Sequence, residues 1–214
     1  MATRKYEQRL RADTAAETRR RILDAVCQRL REAPAEPVSI DRIARLARVA
    51  RPTVYLAFGS RAGLFEAVGA DLLERGGFGR MLQAAAHPDA REALRGAIGG
   101  VVAMYAAHRD VLRALSSMAL LDAAAAGGAM HRMEQGRADG MARLAQRLAD
   151  QGALRGDVTP AQAADLLWLL TSFDSFDLLY TGRELPVEKT ATTLITTADR
   201  SLCRGKQAPV RAEG

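Results

Sequence analysis

The sequence predicts an all-α fold of about nine helices. Apolar residues recur at helical spacing along most of the 214-residue chain, and no segment shows the alternation of a half-buried strand. Two segments carry helix start signals. Thr14-Ala15-Ala16-Glu17 is a capping box, and Thr159-Pro160-Ala161-Gln162 combines a capping threonine with proline at the first helical position. The length leaves room for a small N-terminal domain followed by a larger one.

Four helices are predicted in the N-terminal third. The first runs from Thr14 to about Ala33, because the prolines that follow cannot continue it. Its inward face is apolar and comprises Ile22, Leu23, Val26 and Leu30. The fourth helix is expected from about Arg61 towards Arg75, with Ser60 as its cap, before a group of glycines loosens the pattern.

Residues 38–60 predict two short helices joined by a tight turn. Ser39 can cap the first of them, and Pro52 suits the first turn of the second. The second helix has an apolar side formed by Val54 and Phe58. Its opposite face carries groups able to meet phosphates and base edges, namely Arg51, Thr53 and Tyr55. The pair therefore has the composition of a helix-turn-helix that reads DNA.

The basic charge is concentrated at the same end of the chain. Residues 1–62 contain 14 Lys and Arg and 7 Asp and Glu, whereas residues 63–214 contain 17 Lys and Arg and 18 Asp and Glu. A surface that faces phosphates requires this asymmetry. A basic membrane-surface segment would also make the N-terminus positive, but no apolar run reaches 18 residues. Double-stranded DNA is therefore the expected partner, and no membrane contact is expected.

The second short helix and the residues after it carry a specific motif, Thr53-Val54-Tyr55, Phe58, Ser60-Arg61 and Leu64-Phe65. This motif resembles the DNA-binding domain of TetR-family transcriptional regulators. The similarity runs from about Thr14 to Val68, and beyond Val68 only the length and the helical layout are similar. The resemblance implies a homodimer that binds a palindromic operator and responds to a small molecule.

The chain departs from the family's pattern in the turn and in the second short helix. Arg48 stands where the family's turn begins with glycine, so Arg48 has to adopt a left-handed backbone conformation. The family commonly has serine at the position of Ala50, and polar or aromatic residues at those of Leu56-Ala57.

The expected DNA contacts fall into three groups. Base edges in the major groove would be approached by Arg51, Thr53 and Tyr55. Apolar contacts to thymine methyls or sugars would come from Ala50, Pro52 and Leu56. The register would be fixed on phosphates by Ser39, Arg42 and Arg61. A basic arm, with Arg4, Lys5, Arg9 and Arg11, can enter the adjacent minor groove or stay solvated.

Five further helices are predicted after Pro88, at residues 89–106, 108–120, 129–151, 160–180 and 187–203. Leu166–Leu170 is apolar on every side of its helix, so burial against both a core and a partner subunit is expected. The last helix carries an apolar stripe of Val187, Ala191, Leu194, Ile195, Ala198 and Leu202. The stripe can form a four-helix dimer interface or cover its own monomer. The need of a helix-turn-helix to read two half-sites favours the dimer.

The larger domain is expected to bind a small, mainly apolar effector. The candidate lining residues are Met104, Tyr105, His108, Leu115, Met118, Trp168, Thr171, Phe173 and Asp174. Plain core packing is the alternative for every one of them. Residues 121–128 are expected to form a loop, which is either a flexible connection near the pocket or a simple link.

Catalysis is not expected, because nothing marks a nucleophile, a phosphate-cradling glycine loop or a metal cluster. No cofactor or metal is expected either. Cys27 and Cys203 each stand alone, which favours reduced, buried thiols. The first residues lack the apolar core of a secretory signal, so the expected location is the cytoplasm.

These inferences together predict four segments. Residues 1–13 form a flexible basic arm, 14–62 the DNA-binding domain, 63–204 the ligand-binding and dimerisation domain, and 205–214 a disordered tail. The expected function is that of a homodimeric repressor that a small effector releases from its operator. A DNA-binding dimer without an effector, or an activator, would use the same residues.

Overall fold

The computed structural model describes residues 2–34 and 36–205, with side chains from residue 12 onward. Within these residues the chain forms ten α-helices and one short π-helix. The helices are α1 (Ala2–Glu32), α2 (Ile40–Leu46), α3 (Arg51–Phe58), α4 (Arg61–Arg75), α5 (Phe78–Ala85), α6 (Ala90–Leu121), the π-helix (Ala123–Gly127), α7 (Gly128–Asp150), α8 (Pro160–Leu170), α9 (Phe173–Tyr180) and α10 (Val187–Leu202). The predicted all-α class is confirmed. No described helix is long and apolar enough to span a bilayer.

The chain divides into two compact units. The first unit comprises Met1–Arg75 and His108–Met133, and the second comprises Gly76–Ala107 and Glu134–Gly214. These bounds differ from those of the predicted functional domains, because α4 and residues 108–133 pack with the N-terminal helices. The predicted tail at residues 206–214 lies outside the described residues.

The core of the first unit is built from the apolar faces of its first four helices. The most deeply buried apolar side chains of these four helices are Ile22, Val26 and Leu30 of α1, Ile43 of α2, Val54 of α3, and Leu64, Phe65 and Val68 of α4, and Leu115 of α6 is buried in the same unit. The inward face predicted for the first helix is therefore correct. The predicted start of that helix at Thr14 is wrong, since α1 begins at Ala2. Residues 2–13 contain no proline or glycine, so nothing in them opposes helix.

The second unit buries one side of each of its helices except α5, which has no buried residue. The most deeply buried side chains are Ala93, Leu94 and Ile98 of α6, Leu148 of α7, Leu167 of α8, Phe176 of α9, and Ala198 of α10. On α10, Leu194, Ala198 and Leu202 are buried within the chain itself. These members of the apolar stripe therefore cover their own monomer, which was the alternative to the dimer interface.

The helices beyond Arg75 differ from the prediction in three places. Helix α5 was not predicted, because it begins directly after Gly77. The backbone of Gly77 has a φ of 85°, a conformation that residues with a side chain rarely adopt. The predicted helix 160–180 is two helices, since Ser172 caps α9 through the Ser175 amide at 3.0 Å. The predicted loop 121–128 contains the π-helix. The two helices predicted at 89–106 and 108–120 are confirmed, because the non-helical angles at His108 divide α6 into two helical segments at that point.

Candidate nucleic-acid interface

The helix-turn-helix of α2 and α3 is built from local contacts. The Ser39 hydroxyl accepts a hydrogen bond from the Arg42 amide at 3.2 Å, as the sequence predicts for a cap of α2. Arg48 adopts a φ of 55°, so the left-handed turn expected at this residue is confirmed. The Val49 amide then donates to the Ala44 carbonyl at 2.9 Å and closes the turn. The turn therefore forms without glycine, at a conformational cost.

Helix α3 exposes four of its eight side chains, those of Arg51, Pro52, Tyr55 and Leu56. Val54, at 1% exposure, is the one buried residue of this helix, and Phe58 is half-buried rather than buried as expected. Leu56 is 90% exposed, and Tyr55 is 39% exposed. Of the other predicted contact residues, Ala50, Arg51 and Pro52 are exposed and Thr53 is half-buried. The predicted reading face is therefore available to a partner.

Arg51 is held by side chains on two helices. Its Nη1 lies 3.3 Å from Oδ1 of Asp41 on α2, and its guanidinium carbon lies 5.7 Å from the centre of the Tyr55 ring. The hydrogen bond with Tyr55, followed by the charge of Asp41, raises the pKa of Arg51 above its usual value. The sequence reasoning missed Asp41 as an orienting group, although an opposite charge on the neighbouring helix is a usable signal.

Two of the predicted phosphate contacts differ in their surroundings. Arg42 is exposed on α2. Arg61 instead forms an ion pair through Nη1 with Asp122, and its Nε donates to the Val38 carbonyl at 3.2 Å. The hydrogen bond from Arg61 lowers the pKa of Asp122. Asp122 also caps the π-helix, since its Oδ1 accepts from the Ala125 amide at 3.2 Å.

The nine predicted effector-binding residues belong to both compact units. The second unit contains Met104, Tyr105, Trp168, Thr171, Phe173 and Asp174, whereas the first contains His108, Leu115 and Met118. Leu115 is fully buried, as expected of plain core packing. Met118 lines a cavity of about 190 Å³ in the first unit, together with Arg61 and Asp122.

An aromatic cluster forms around Tyr105 in the second unit. The Tyr105 ring centre lies 5.4 Å from that of Phe173 and 5.7 Å from that of Phe176. The Tyr105 hydroxyl donates to the Thr171 carbonyl at 3.1 Å, and burial raises the pKa of this hydroxyl to about 12. A narrow void, without room for a water molecule, lies against Tyr105, Thr171 and Phe176. Met104 is also buried, whereas Trp168 and Asp174 are exposed.

His108 marks the break in α6. Its φ of −128° and ψ of 18° are non-helical, and both ring nitrogens are buried without a hydrogen-bond partner in the part of the chain that the structure describes. Burial, followed by the positive charges of Arg31 and Arg75, lowers the pKa of His108. Across the described residues, no group of three or more His, Cys, Asp or Glu has the arrangement of a metal site.

Comparisons with known proteins agree with this architecture. Residues 22–68 match the family model described as bacterial regulatory proteins, tetR family. No curated protein sequence matches the chain. A TetR-like transcriptional regulator from Rhodococcus sp. RHA1 is 25% identical, with a TM-score of 0.62 over 86% of this chain and 94% of that chain.

Two more distant structures share the fold. Native NalD of Pseudomonas aeruginosa, the secondary repressor of the MexAB-OprM multidrug efflux pump, is 22% identical, with a TM-score of 0.67 over 90% of this chain and 99% of that chain. A TetR family transcription regulator from Marinobacter aquaeolei VT8 is 15% identical, with a TM-score of 0.67 over 92% of this chain and 100% of that chain.

The fold and the helix-turn-helix are those of the transcriptional regulators named above. Residues 22–68 are a tetR-family DNA-binding segment, and the chain has the fold of TetR-family transcriptional regulators. The resemblance stated from the sequence is therefore confirmed. The related chains named above are regulators, and none is named as an enzyme.

Proposed function

We propose that this chain is a homodimeric, ligand-responsive transcriptional repressor that binds a palindromic operator. The observation that carries the proposal is the reading face of α3, where Arg51, Tyr55 and Leu56 are exposed while Val54 anchors the helix. A guanidinium fork, a phenol and an apolar side chain suit guanine, phosphate and thymine methyl groups respectively. Catalytic activity forms no part of the proposal, and the place of action is the cytoplasm, where the operator lies.

Exposed apolar side chains on α8 and α9 support the dimer. Trp168, Leu169 and Leu178 are 44%, 56% and 70% exposed in the single chain, and Leu166–Leu170 was expected to be buried against both a core and a partner subunit. Apolar side chains of this size are typical of protein interfaces when they are clustered. Leu178→Arg should therefore convert the dimer to a monomer in light-scattering measurements. Leu120→Arg, at an 88% exposed position in the first unit, is the matched control.

The aromatic cluster supports a mainly apolar effector. The void beside Tyr105 has no room for a water molecule, whereas typical ligand pockets measure several hundred Å³. An effector would therefore have to displace one of the packed rings. The shift of that ring would change the conformation of the unit that binds the effector. Saturable shifts in unfolding temperature across a library of apolar compounds test this part of the proposal.

The narrow void also favours a second candidate function, a DNA-binding dimer without an effector. In that case the aromatic cluster serves only as core, and no compound from the library gives a saturable shift. Operator binding would remain, so the two candidates differ in the effector measurement alone.

Selection from random-sequence DNA tests the DNA-binding part directly. Purified protein is expected to enrich duplexes that contain an inverted repeat with half-sites separated by about one helical turn, 10 base pairs. Enrichment of unrelated sequences, or of single half-sites only, would contradict the palindromic operator.

A further inference from the structure

We infer that Arg19 of α1 is a positioning residue for the recognition helix α3, and that it sets operator preference without contacting a base. The inference rests on the proposed function, because it assigns a role within the same DNA-reading surface. It concerns a residue that the sequence motif does not mark as a DNA contact.

Helix α3 buries only one of its own side chains completely. The helix has eight residues, and Val54 is the one that is buried. On the side of α1, an open groove of about 570 Å³ runs along α3, and its lining includes Ala15, Thr18, Thr53 and Leu56. A helix that lies on a single buried side chain beside an open groove needs a further contact to hold its direction.

Arg19 supplies that contact at the C-terminal end of α3. Its Nη1 donates to the Ala57 carbonyl at 2.8 Å, across 38 positions of sequence. Its guanidinium carbon also lies 4.3 Å from the centre of the Phe58 ring. One side chain of α1 therefore contacts two successive residues of the last turn of α3.

The chemistry at this end of α3 suits a guanidinium. The last four carbonyls of a helix have no partner within the helix, and Ala57 contributes one of them. A positive charge also complements the negative end of the helix dipole. The planar guanidinium donates to the carbonyl while its face covers Phe58, a combination that the point charge of lysine does not reproduce.

The opposite end of α3 has an equivalent contact. Asp41 of α2 holds Arg51 in the first turn of α3. The recognition helix is therefore held at its two ends by side chains from two different helices. Loss of the Arg19 contact leaves the Asp41 contact in place, so α3 is expected to pivot rather than unfold.

The test compares Arg19→Met with Arg20→Met, which removes the same charge from an exposed neighbouring position on α1. Binding is measured by fluorescence anisotropy on the duplex enriched by the selection and on a scrambled duplex. Compared with Arg20→Met, Arg19→Met is expected to lower affinity for the enriched duplex by a further factor of about ten, the low end of the effect of one charged hydrogen bond, with no further loss on the scrambled duplex. Arg20→Met should lower both affinities equally, and Arg19→Lys should restore part of the loss.

Two other roles of Arg19 predict different results. If Arg19 contacts a phosphate, Arg19→Met lowers both affinities and reduces the salt slope by about 0.9. If Arg19 is an ordinary surface residue, Arg19→Met behaves like Arg20→Met. Either result overturns the inference and leaves the proposed function intact.

Hydrogen exchange separates the inference from the proposed function. Without DNA, the amides of the last turn of α3 should exchange faster in Arg19→Met than in Arg20→Met, while those of α4 stay unchanged. Equal exchange in the two variants would contradict the positioning role. A chain that shows this exchange difference but selects no DNA sequence would contradict the proposed function alone.

Discussion

The recognition helix α3 and the aromatic cluster around Tyr105 are held in place by different means. Helix α3 buries one side chain, Val54, and is held at its ends by polar contacts from α1 and α2. The aromatic cluster is held by packing, with ring centres 5.4 Å to 6.1 Å apart and a buried hydroxyl that donates to a carbonyl. Substitutions on α3 should therefore change binding, whereas substitutions in the cluster should change stability.

The largest effect is expected from Phe176→Ala in the aromatic cluster. Phe176 is 1% exposed, and its removal leaves a cavity that should lower the free energy of unfolding by about 3–5 kcal/mol. Urea denaturation measures this difference. A loss below about 1 kcal/mol would show that the cluster collapses around the gap. It would contradict the claim that close packing holds the cluster in place.

Arg51→Ala on α3 should leave stability nearly unchanged but lower affinity for the enriched duplex about tenfold, because a base contact is lost. Binding to a scrambled duplex should fall much less, and anisotropy on both duplexes measures the difference. Arg45→Ala is the control, since it removes the same charge from an exposed position on α2. Equal losses on the two duplexes would assign Arg51 to phosphate contact instead.

The smallest effect concerns the ion pair between Asp122 and Arg61. Because Arg61 lowers the pKa of Asp122 in the folded chain, the charged pair stabilises the fold above the pKa of the unfolded carboxyl and is lost as the pH falls through the folded value. The stability difference between wild type and Asp122→Asn should therefore shrink below about pH 4. Urea midpoints measured at several pH values check this, and a constant difference would contradict it.

The sequence predicted the helix-turn-helix well because its determinants are local. The caps at Ser39 and Ser60, the proline at the start of α3 and the turn at Arg48 each depend on residues within four positions. The predicted bounds of α4, Arg61 and Arg75, agree with the structure for the same reason. Periodicity and capping chemistry therefore suffice for this region.

The contacts that the sequence did not reveal are those between distant residues. Arg61 and Asp122 lie 61 positions apart, and Arg19 and Ala57 lie 38 apart, so no local pattern pairs them. The effector candidates show the same limit. Helical spacing selected Tyr105 and Leu115 alike, but Leu115 belongs to the core of the first unit, while Tyr105 joins the aromatic cluster.

The most direct test of the central claim is the affinity of the wild-type chain for its selected duplex and for a scrambled duplex at two salt concentrations. A reading helix with exposed Arg51, Tyr55 and Leu56 predicts a preference of at least about a thousandfold, together with weaker binding to both duplexes at the higher salt. Equal affinity for the two duplexes at both salt concentrations would mean that α3 reads no sequence, and would contradict the account.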